Sequence, residues 1–317
     1  MTCQVIGARR AGGQHVIRSS TDRPCSNRSA LMTRFKTAHL PQGTIQYVEQ
    51  GQGQPIVFVH GLLVDHQIWA PLVPRLSQGL RCILPNWPLG AHAVPMKPEA
   101  DLSVPGMVQV IADFLVALNL RDVILVGNDS GGALTQMVCA RFPERIDRVV
   151  LTTCDAYDVF PPWPFLYLKW LGMVPGLPWL SARLIHHVPL LRRLPITYGA
   201  LTDGPLDNAL IDQWVAPLLH QAGVRSDLAK FVRTLSSRHT EAAGKALQRF
   251  DKPVLLLWST RCPYFPKRLA ERLQRELPQA ELRWINSAGV FVGLEYADQV
   301  AEGIWGFRAR DQARALP

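Results

Sequence analysis

The chain has 317 residues, of which 48% are hydrophobic and 19% are charged, so a large buried core is expected and global disorder is excluded. The formal net charge of +9 would suit a nucleic-acid binder, but residues 1–31 contain five Arg and one Asp and so supply +4 of it. The rest of the chain carries no run of basic residues and no nucleic-acid motif, so nucleic acid is not an expected partner.

Residues 1–31 are polar and lack the apolar stretch of a secretory signal. Because Met32 opens a segment with the pattern of a folded domain, we expect this part to be a disordered extension or a mis-started translation. No apolar stretch reaches about 18 residues, so neither a membrane span nor a membrane partner is expected. The six cysteines are scattered without disulfide or metal spacing, which favours a reducing, cytoplasmic location.

Short apolar runs alternate with amphipathic helices after Met32. Strands are predicted at residues 34–40, 44–49, 56–59, 81–84, 122–126, 148–152, 253–258 and 281–285. Helices are predicted at residues 104–118, 131–141 and 295–308. Since helices separate most of the strands, we expect an α/β protein with a mostly parallel eight-stranded sheet covered by helices on both faces.

Residues 155–250, between the sixth and seventh predicted strands, differ in character from the rest. They are rich in Pro, Trp and Leu, with helices predicted near residues 163–173, 178–187, 206–220 and 225–236. We interpret this segment as an inserted helical cap, which leaves residues 32–154 and 251–317 as the core. Ligands of such folds bind at the carboxyl ends of the strands, beneath a cap of this kind.

The segment Gly127-Asn-Asp-Ser-Gly-Gly132 stands between a predicted strand and a predicted helix. It fits the sharp turn that exposes one nucleophilic side chain, here Asp129, above a sheet, and the flanking glycines allow that turn to close. One alternative is a Gly-rich turn in which Asp129 only caps the next helix. Another alternative is that Ser130 is a serine nucleophile.

A His-Gly turn, Val59-His60-Gly61-Leu62, follows the third predicted strand. In such a fold this turn supplies one N–H of an oxyanion hole, and the residue after the nucleophile supplies the other. The expected donors are therefore the backbone N–H groups of Leu62 and Ser130. We interpret His60 as a structural residue that packs beneath the turn.

Together these features resemble the α/β-hydrolase superfamily over about residues 34–308. The Asp at the turn resembles the haloalkane dehalogenase and epoxide hydrolase branch, and residues 127–132 and 154–158 also resemble bacterial hydrolases of mostly unassigned substrate. The resemblance implies a reaction without cofactor or metal, in which the carboxylate attacks carbon and a His-activated water hydrolyses the resulting ester. The expected partner is a small-molecule substrate or ligand, and the oligomeric state stays open.

The chain departs from this branch at several functional positions. The branch's histidine is expected after the eighth strand, where Val290 stands, and its acid after the seventh strand, where Cys262 stands. Asp155 is a possible alternative acid, although we interpret it first as a hinge residue of the cap. Tyr167 and Tyr198 are possible cap contacts that would protonate an epoxide oxygen, with simple packing as the alternative.

The missing histidine leaves the function divided between alternatives. Loss of a general base removes typically 10²–10⁴-fold in rate, unless another histidine takes over. The first alternative is a hydrolase of a small apolar substrate, with Asp129 as nucleophile. The second is a non-catalytic homologue that binds a ligand or partner, and the third is a lyase or isomerase with Asp129 as base. Replacement histidines, none of them favoured, would be His66, His92, His186, His187 and His220.

Overall fold

The computed structural model describes residues 34–314. Its eight strands are β1 (Lys36–Leu40), β2 (Gly43–Gln50), β3 (Gln54–Val59), β4 (Leu80–Pro85), β5 (Val123–Asp129), β6 (Ile146–Cys154), β7 (Val254–Ser259) and β8 (Ala280–Ile285). They form one sheet of order β1-β2-β4-β3-β5-β6-β7-β8. β2 is antiparallel to both of its neighbours, and the strands from β4 to β8 are parallel. The predicted eight-stranded, mostly parallel sheet is confirmed.

The helices are α1 (Val73–Leu76), α2 (Val104–Ala117), α3 (Ser130–Arg141), α4 (Leu168–Met173), α5 (Leu177–His187), α6 (Pro189–Arg192), α7 (Asn208–His220), α8 (Ala222–Val232), α9 (Ser237–Leu247), α10 (Lys267–Glu276), α11 (Val292–Glu295) and α12 (Ala297–Arg314). The sheet grows in one direction from β3 to β4 and in the other from β5 to β8, so right-handed crossovers put α1 on one face and α2, α3 and α10 on the opposite face. α12 contacts α1. Within residues 34–314, no helix has both the length and the apolar character that a membrane crossing needs.

The centre of the sheet is buried on both faces. Residues 56–59 of β3 and 123–126 of β5 are fully buried, as expected for central parallel strands with helices on either side. The four described cysteines, Cys82, Cys139, Cys154 and Cys262, are free thiols and buried, where they pack as small apolar side chains.

Residues 155–250, called the insertion from here on, connect β6 to β7 and contain α4 to α9. Within it α4 packs on α8 and α5 packs on α7, while α9 packs against α3 of the sheet layers. The sequence analysis did not predict α9, whose buried residues at helical spacing are mostly small or polar (Thr240, Ala243 and Gly244, with Leu247). The division into core and cap stays a prediction, and the interpretation of residues 1–31 falls outside the described residues.

Asp227 of α8 joins the insertion to the loop that follows β4. Its buried carboxylate accepts a hydrogen bond from the backbone N–H of Met96 at 2.8 Å and lies 3.1 Å from Nε2 of His92. This contact fixes the position of the insertion relative to the loop after β4.

Replacing Asp227 with Ala is expected to lower the free energy of unfolding by about 1–3 kcal/mol, because two buried polar groups lose their acceptor. Chemical denaturation at neutral pH measures the change. The matched control is Asp251→Ala, since the side chain of Asp251 is exposed. Equal destabilisation by the two substitutions would contradict an anchoring role of Asp227.

Candidate active site

Asp129 lies at the apex of a strained turn between β5 and α3. β5 ends at Asp129 and α3 begins at Ser130, and the Asp129 backbone has φ 53° and ψ −135°. Positive φ is unfavourable for a residue with a side chain and persists only where the surroundings enforce it, often at functional sites. The turn therefore holds the Asp129 carboxyl out at the carboxyl edge of the sheet.

Two glycines permit the close packing around this turn. A Cβ on Gly131 would stand 2.3 Å from the carbonyl oxygen of Val59, so the start of α3 presses directly on the end of β3. A Cβ on Gly61 would stand 2.0 Å from Oδ2 of Asp129. The His-Gly turn therefore lies against the Asp129 carboxyl with no room for a side chain between them.

The predicted oxyanion donors surround that carboxyl. The backbone N–H groups of Ser130 and Leu62 both favour its ionised form, while burial disfavours it. Burial prevails and raises the pKa of Asp129 to about 6, although the carboxyl keeps one side open to a cavity. The Leu62 N–H also donates to the Ser130 hydroxyl at 2.9 Å, and that hydroxyl lies 3.5 Å from Oδ2 of Asp129. The sequence analysis assigned these three residues to one site, and in the structure they lie next to one another.

His60 has a structural role, as the sequence interpretation favoured. Its Nε2 accepts a hydrogen bond from the backbone N–H of Trp87 at 2.8 Å, so its Nδ1 carries the proton and donates to the carbonyl of Gly61 at 2.9 Å. Complete burial lowers the pKa of His60 to about 4. The ring is therefore neutral near pH 7 and fixes the His-Gly turn in place.

The two expected relay positions carry no proton-transfer group. Val290 is fully buried, and its carbonyl accepts a hydrogen bond from the side-chain amide of Asn128 at 2.8 Å. Cys262 is 8% exposed, and burial raises the pKa of its thiol to about 11, so it is neutral near pH 7. The amide of Asn128 also donates to the carbonyls of Thr152 and Thr153 at 3.2 Å, and it thereby ties the strained turn to β6 and to the loop after β8.

The other histidines do not reach the site, and among the described residues no histidine lines the cavity in front of Asp129. His92 is held by Asp227, and Nδ1 of His186 lies 2.8 Å from the carboxylate of Asp212. His66 packs edge-on against Phe35. His187 and His220 are exposed to solvent. None of the five candidate replacements is therefore positioned to activate water beside Asp129.

The cavity in front of Asp129 is small, with a volume of about 80 Å³. Its lining is chiefly apolar, including Leu63, Phe160, Phe165, Leu168, Ile185, Leu201, Leu235 and Phe265. Tyr167 and Tyr198 both line it, but their hydroxyls donate to the carbonyls of Ile196 at 2.6 Å and Leu63 at 2.9 Å. Each tyrosine proton therefore already has an acceptor.

Asp155 adds a second carboxyl to the same cavity. It follows β6, the parallel neighbour of β5, and its side chain is buried, with no hydrogen-bond partner for Oδ1 among the described residues. Its backbone N–H donates to the carbonyl of Asp129 at 3.4 Å. Burial and the charge of Asp129 raise the pKa of Asp155 well above its usual range. The structure places Asp155, which the sequence analysis interpreted first as a hinge residue and second as an acid, beside Asp129 in the cavity lining.

The sequence contains a signal for this pair that the hinge interpretation did not use. Asp129 ends β5 and Asp155 follows β6, and the carboxyl ends of adjacent parallel strands meet at one edge of the sheet. Two such acids form no metal site by themselves, and among the described residues no three His, Cys, Asp or Glu side chains converge on a metal position. The site is therefore a pair of coupled carboxyls with two backbone donors and an apolar wall.

A strained strand-to-helix turn with an acid at its apex, opposite a His-Gly turn, defines an α/β-hydrolase-type site. The sequence profile of the alpha/beta hydrolase fold family matches residues 54–295, and the chain belongs to this family.

Its relatives include a cis-3-alkyl-4-alkyloxetan-2-one decarboxylase of Shewanella oneidensis, 23% identical over 86% of this chain and 87% of that protein. A haloalkane dehalogenase of Mesorhizobium japonicum is 35% identical over 37% of this chain and 38% of that enzyme. Among solved structures, a meta-cleavage product hydrolase of Pseudomonas fluorescens covers 87% of this chain and 98% of its own, with a TM-score of 0.69 at 20% identity.

Replacing Asp129 with Asn is expected to raise the free energy of unfolding at neutral pH, by up to about 3 kcal/mol. The folded-state pKa of about 6 lies above the ordinary value of 3.8, so ionisation of this carboxyl opposes folding. The increase in the free energy of unfolding is absent below about pH 4, grows between about pH 4 and about pH 6, and stays constant above about pH 6. Urea unfolding at a series of pH values measures it.

Asp158→Asn is the matched control for that series. The Arg268 guanidinium holds the pKa of the Asp158 carboxyl below its usual range, so its neutralisation removes a favourable interaction and no gain is expected. If Asp129→Asn stabilised the protein by the same amount at every pH, the stability change could not be assigned to the desolvated charge of Asp129.

Proposed function

We propose that this protein hydrolyses a small, apolar substrate through an ester formed on Asp129. The observation that carries the proposal is the contact of the Asp129 carboxyl with two backbone N–H groups on one side and an apolar cavity on the other. The N–H groups of Leu62 and Ser130 are the oxyanion donors of this proposal. They favour negative charge on an oxygen of Asp129, where the tetrahedral intermediate of ester hydrolysis carries it.

In the first step, an oxygen of the ionised Asp129 attacks an electrophilic carbon of the substrate, and a carbon–oxygen bond of the substrate breaks. The oxygen that leaves needs a proton. Asp155 supplies it, because its raised pKa keeps it protonated when Asp129 is ionised. The products of this step are an alkyl ester on Asp129, a substrate hydroxyl and an ionised Asp155.

In the second step, the ionised Asp155 takes a proton from water, and the hydroxide attacks the carbonyl of the Asp129 ester. The tetrahedral intermediate breaks its bond to the alkyl oxygen, and the departing alkoxide takes the proton of the re-formed Asp129 acid. Asp129 ends ionised and Asp155 ends protonated, so the site returns to its starting state. Asp155 would thus serve in place of the absent histidine.

The chemistry of the lining narrows the substrate class. A protonated carboxyl aids the departure of oxygen more than that of halide, and the tyrosine hydroxyls already donate elsewhere. The position that holds a halide-binding Trp in dehalogenases is Ser130 here. We therefore propose an apolar epoxide or a similar strained or activated oxygen electrophile as the substrate.

Asp129→Asn is expected to reduce kcat for epoxide hydrolysis by more than about 10⁴-fold, because the nucleophile is lost. A panel of apolar epoxides and p-nitrophenyl esters, with product analysis, measures this. Asp158→Asn, which changes a carboxylate outside the cavity, should keep the activity of the unmodified protein. Equal turnover by the protein with and without Asp129 would refute the proposal.

Asp155→Asn is expected to slow epoxide turnover by about 10²–10⁴-fold and to trap the ester. An alkyl halide probe isolates the second step, because halide departs without a proton, and the reaction is followed at alkaline pH, where Asp155 can lose its own proton to solvent and act as the base. Intact-protein mass spectrometry should then show one alkyl group on Asp129 that persists in Asp155→Asn and is released in the unmodified protein. A persistent adduct in the unmodified protein as well would favour the binding alternative.

The pH profile of kcat/KM follows from the same two carboxyls. Activity is expected to rise with a midpoint near pH 6, as Asp129 loses its proton, and to fall at higher pH, as Asp155 loses its own. Initial rates across the pH range measure this bell shape. In Asp155→Asn the rising limb should remain and the falling limb should vanish.

A lyase reaction is the second candidate, favoured by the absence of histidine from the cavity lining of the described chain. The Shewanella oneidensis relative is named for decarboxylating a four-membered lactone, a reaction that consumes no water. Incubation of a dialkyl β-lactone in ¹⁸O-labelled water separates the two candidates. Label in a hydroxy-acid product supports the hydrolase, and formation of an alkene and CO₂ supports the lyase.

A further inference from the structure

Large hydrophobic side chains are exposed mainly on one part of the chain. Twelve of the fifteen such side chains among the described residues lie within residues 163–196 of the insertion. Trp163 is 82% exposed, Leu190 70% and Trp170 59%. Scattered apolar residues are ordinary on a protein surface, but a concentration of this kind marks an interaction surface. Residues 163–196 are called the apolar face from here on.

The formally charged side chains of this segment are all basic. Between Val159 and Thr202 the sequence has four Lys or Arg and no Asp or Glu. Arg192 is buried and bound to Asp212, whereas Lys169, Arg183 and Arg193 have no ion pair within residues 34–310. Arg183 lies over the ring of Trp179, with its guanidinium carbon 5.1 Å from the ring centroid.

The acidic residues that border the apolar face are already bound. Asp158 pairs with Arg268, and the carboxylate of Asp203 accepts from the Tyr296 hydroxyl and from the backbone N–H of Ala288 at 2.7 Å. The surface therefore offers exposed Trp and Leu side chains together with unneutralised positive charge.

Although the sequence analysis expected no membrane partner, we infer that the apolar face binds the surface of an anionic lipid membrane. Tryptophan side chains favour the headgroup level of a bilayer, and basic side chains are attracted to its negative surface potential. Trp170 and Met173 stand three residues apart on α4, and Leu180 and Leu184 stand four residues apart on α5, so each helix presents exposed apolar side chains on one side. The binding is peripheral, which is compatible with the absence of a membrane-crossing helix among the described residues.

A second copy of the chain fits this surface less well. A two-fold contact through the apolar face would bring Lys169, Arg183 and Arg193 against the same cations of the partner, with no acid of the segment to pair with them. The charge complement that this surface lacks is supplied by anionic headgroups.

The inner side of the same segment lines the cavity. Phe165, Leu168 and Ile185 face the site, while neighbours such as Leu166, Trp170 and Leu184 face solvent. A protein bound through this face would take up an apolar substrate from the lipid rather than from water. This last step rests on the proposed function, whereas the membrane binding does not.

The test is flotation of the full chain with phosphatidylglycerol-containing vesicles and, separately, with phosphatidylcholine vesicles. Binding to the anionic vesicles is expected, and it should weaken as salt rises. Arg183→Gln and Arg193→Gln should each weaken it about fivefold, because one basic side chain near an anionic surface contributes about 1 kcal/mol. Trp163→Ser with Trp170→Ser should abolish detectable flotation.

Trp284→Ser and Arg121→Gln are the matched controls, since both side chains are exposed outside the apolar face. They should float like the unmodified protein, and circular dichroism should show all variants folded. The inference is overturned if the unmodified protein stays in solution with both kinds of vesicle, or if the controls lose as much binding. It is also overturned if light scattering shows a dimer that the tryptophan substitutions dissociate while vesicle binding is absent. Hydrolytic activity on dissolved substrate is measured in parallel, so failure of the proposed function remains distinguishable.

Discussion

The packing of the Asp129 carboxyl against the backbone of Gly61 is the constraint on which the whole site depends. It removes water from one side of the carboxyl and replaces it with the N–H groups of Leu62 and Ser130. Those donors lower the pKa of Asp129 by less than burial raises it, so the negative charge is tolerated but not favoured. Burial and the charge of Asp129 together raise the pKa of the neighbouring Asp155 well above its usual range.

The replacement of the expected histidine by Val290 leaves no gap in the fold. Val290 packs completely into the core, and its backbone carbonyl is bound by Asn128, an amide that also binds the end of β6. Backbone groups therefore keep the loop after β8 in place without a histidine side chain. The turn at Asp129 and the loop after β8 are thus joined by hydrogen bonds of Asn128.

Much of the fold was predictable because it depends on periodicity. Continuous apolar runs such as residues 56–59 mark central strands, and the spacing in residues 104–118 marks a helix. The turn at Asp129 was predictable from its glycines, because steric closeness allows no other residue there. Helix α9 was missed because three of its four buried residues are small, and such residues give a weak apolar signal. The role of Asp155 depends on which strands are neighbours in space, and one sequence gives strand order only through a resemblance.

The hydrogen bond between Tyr198 and Leu63 connects the insertion to the His-Gly turn beside Asp129. Leu63 follows Leu62, the oxyanion donor of the proposed function, and has a φ of 59°, a conformation that a leucine adopts only under constraint. Its N–H donates to Leu89 at 3.0 Å, and its carbonyl accepts from the Tyr198 hydroxyl of the insertion at 2.9 Å. The conformation of the turn beside Asp129 therefore depends on a contact with the insertion, the same segment whose side chains line the cavity.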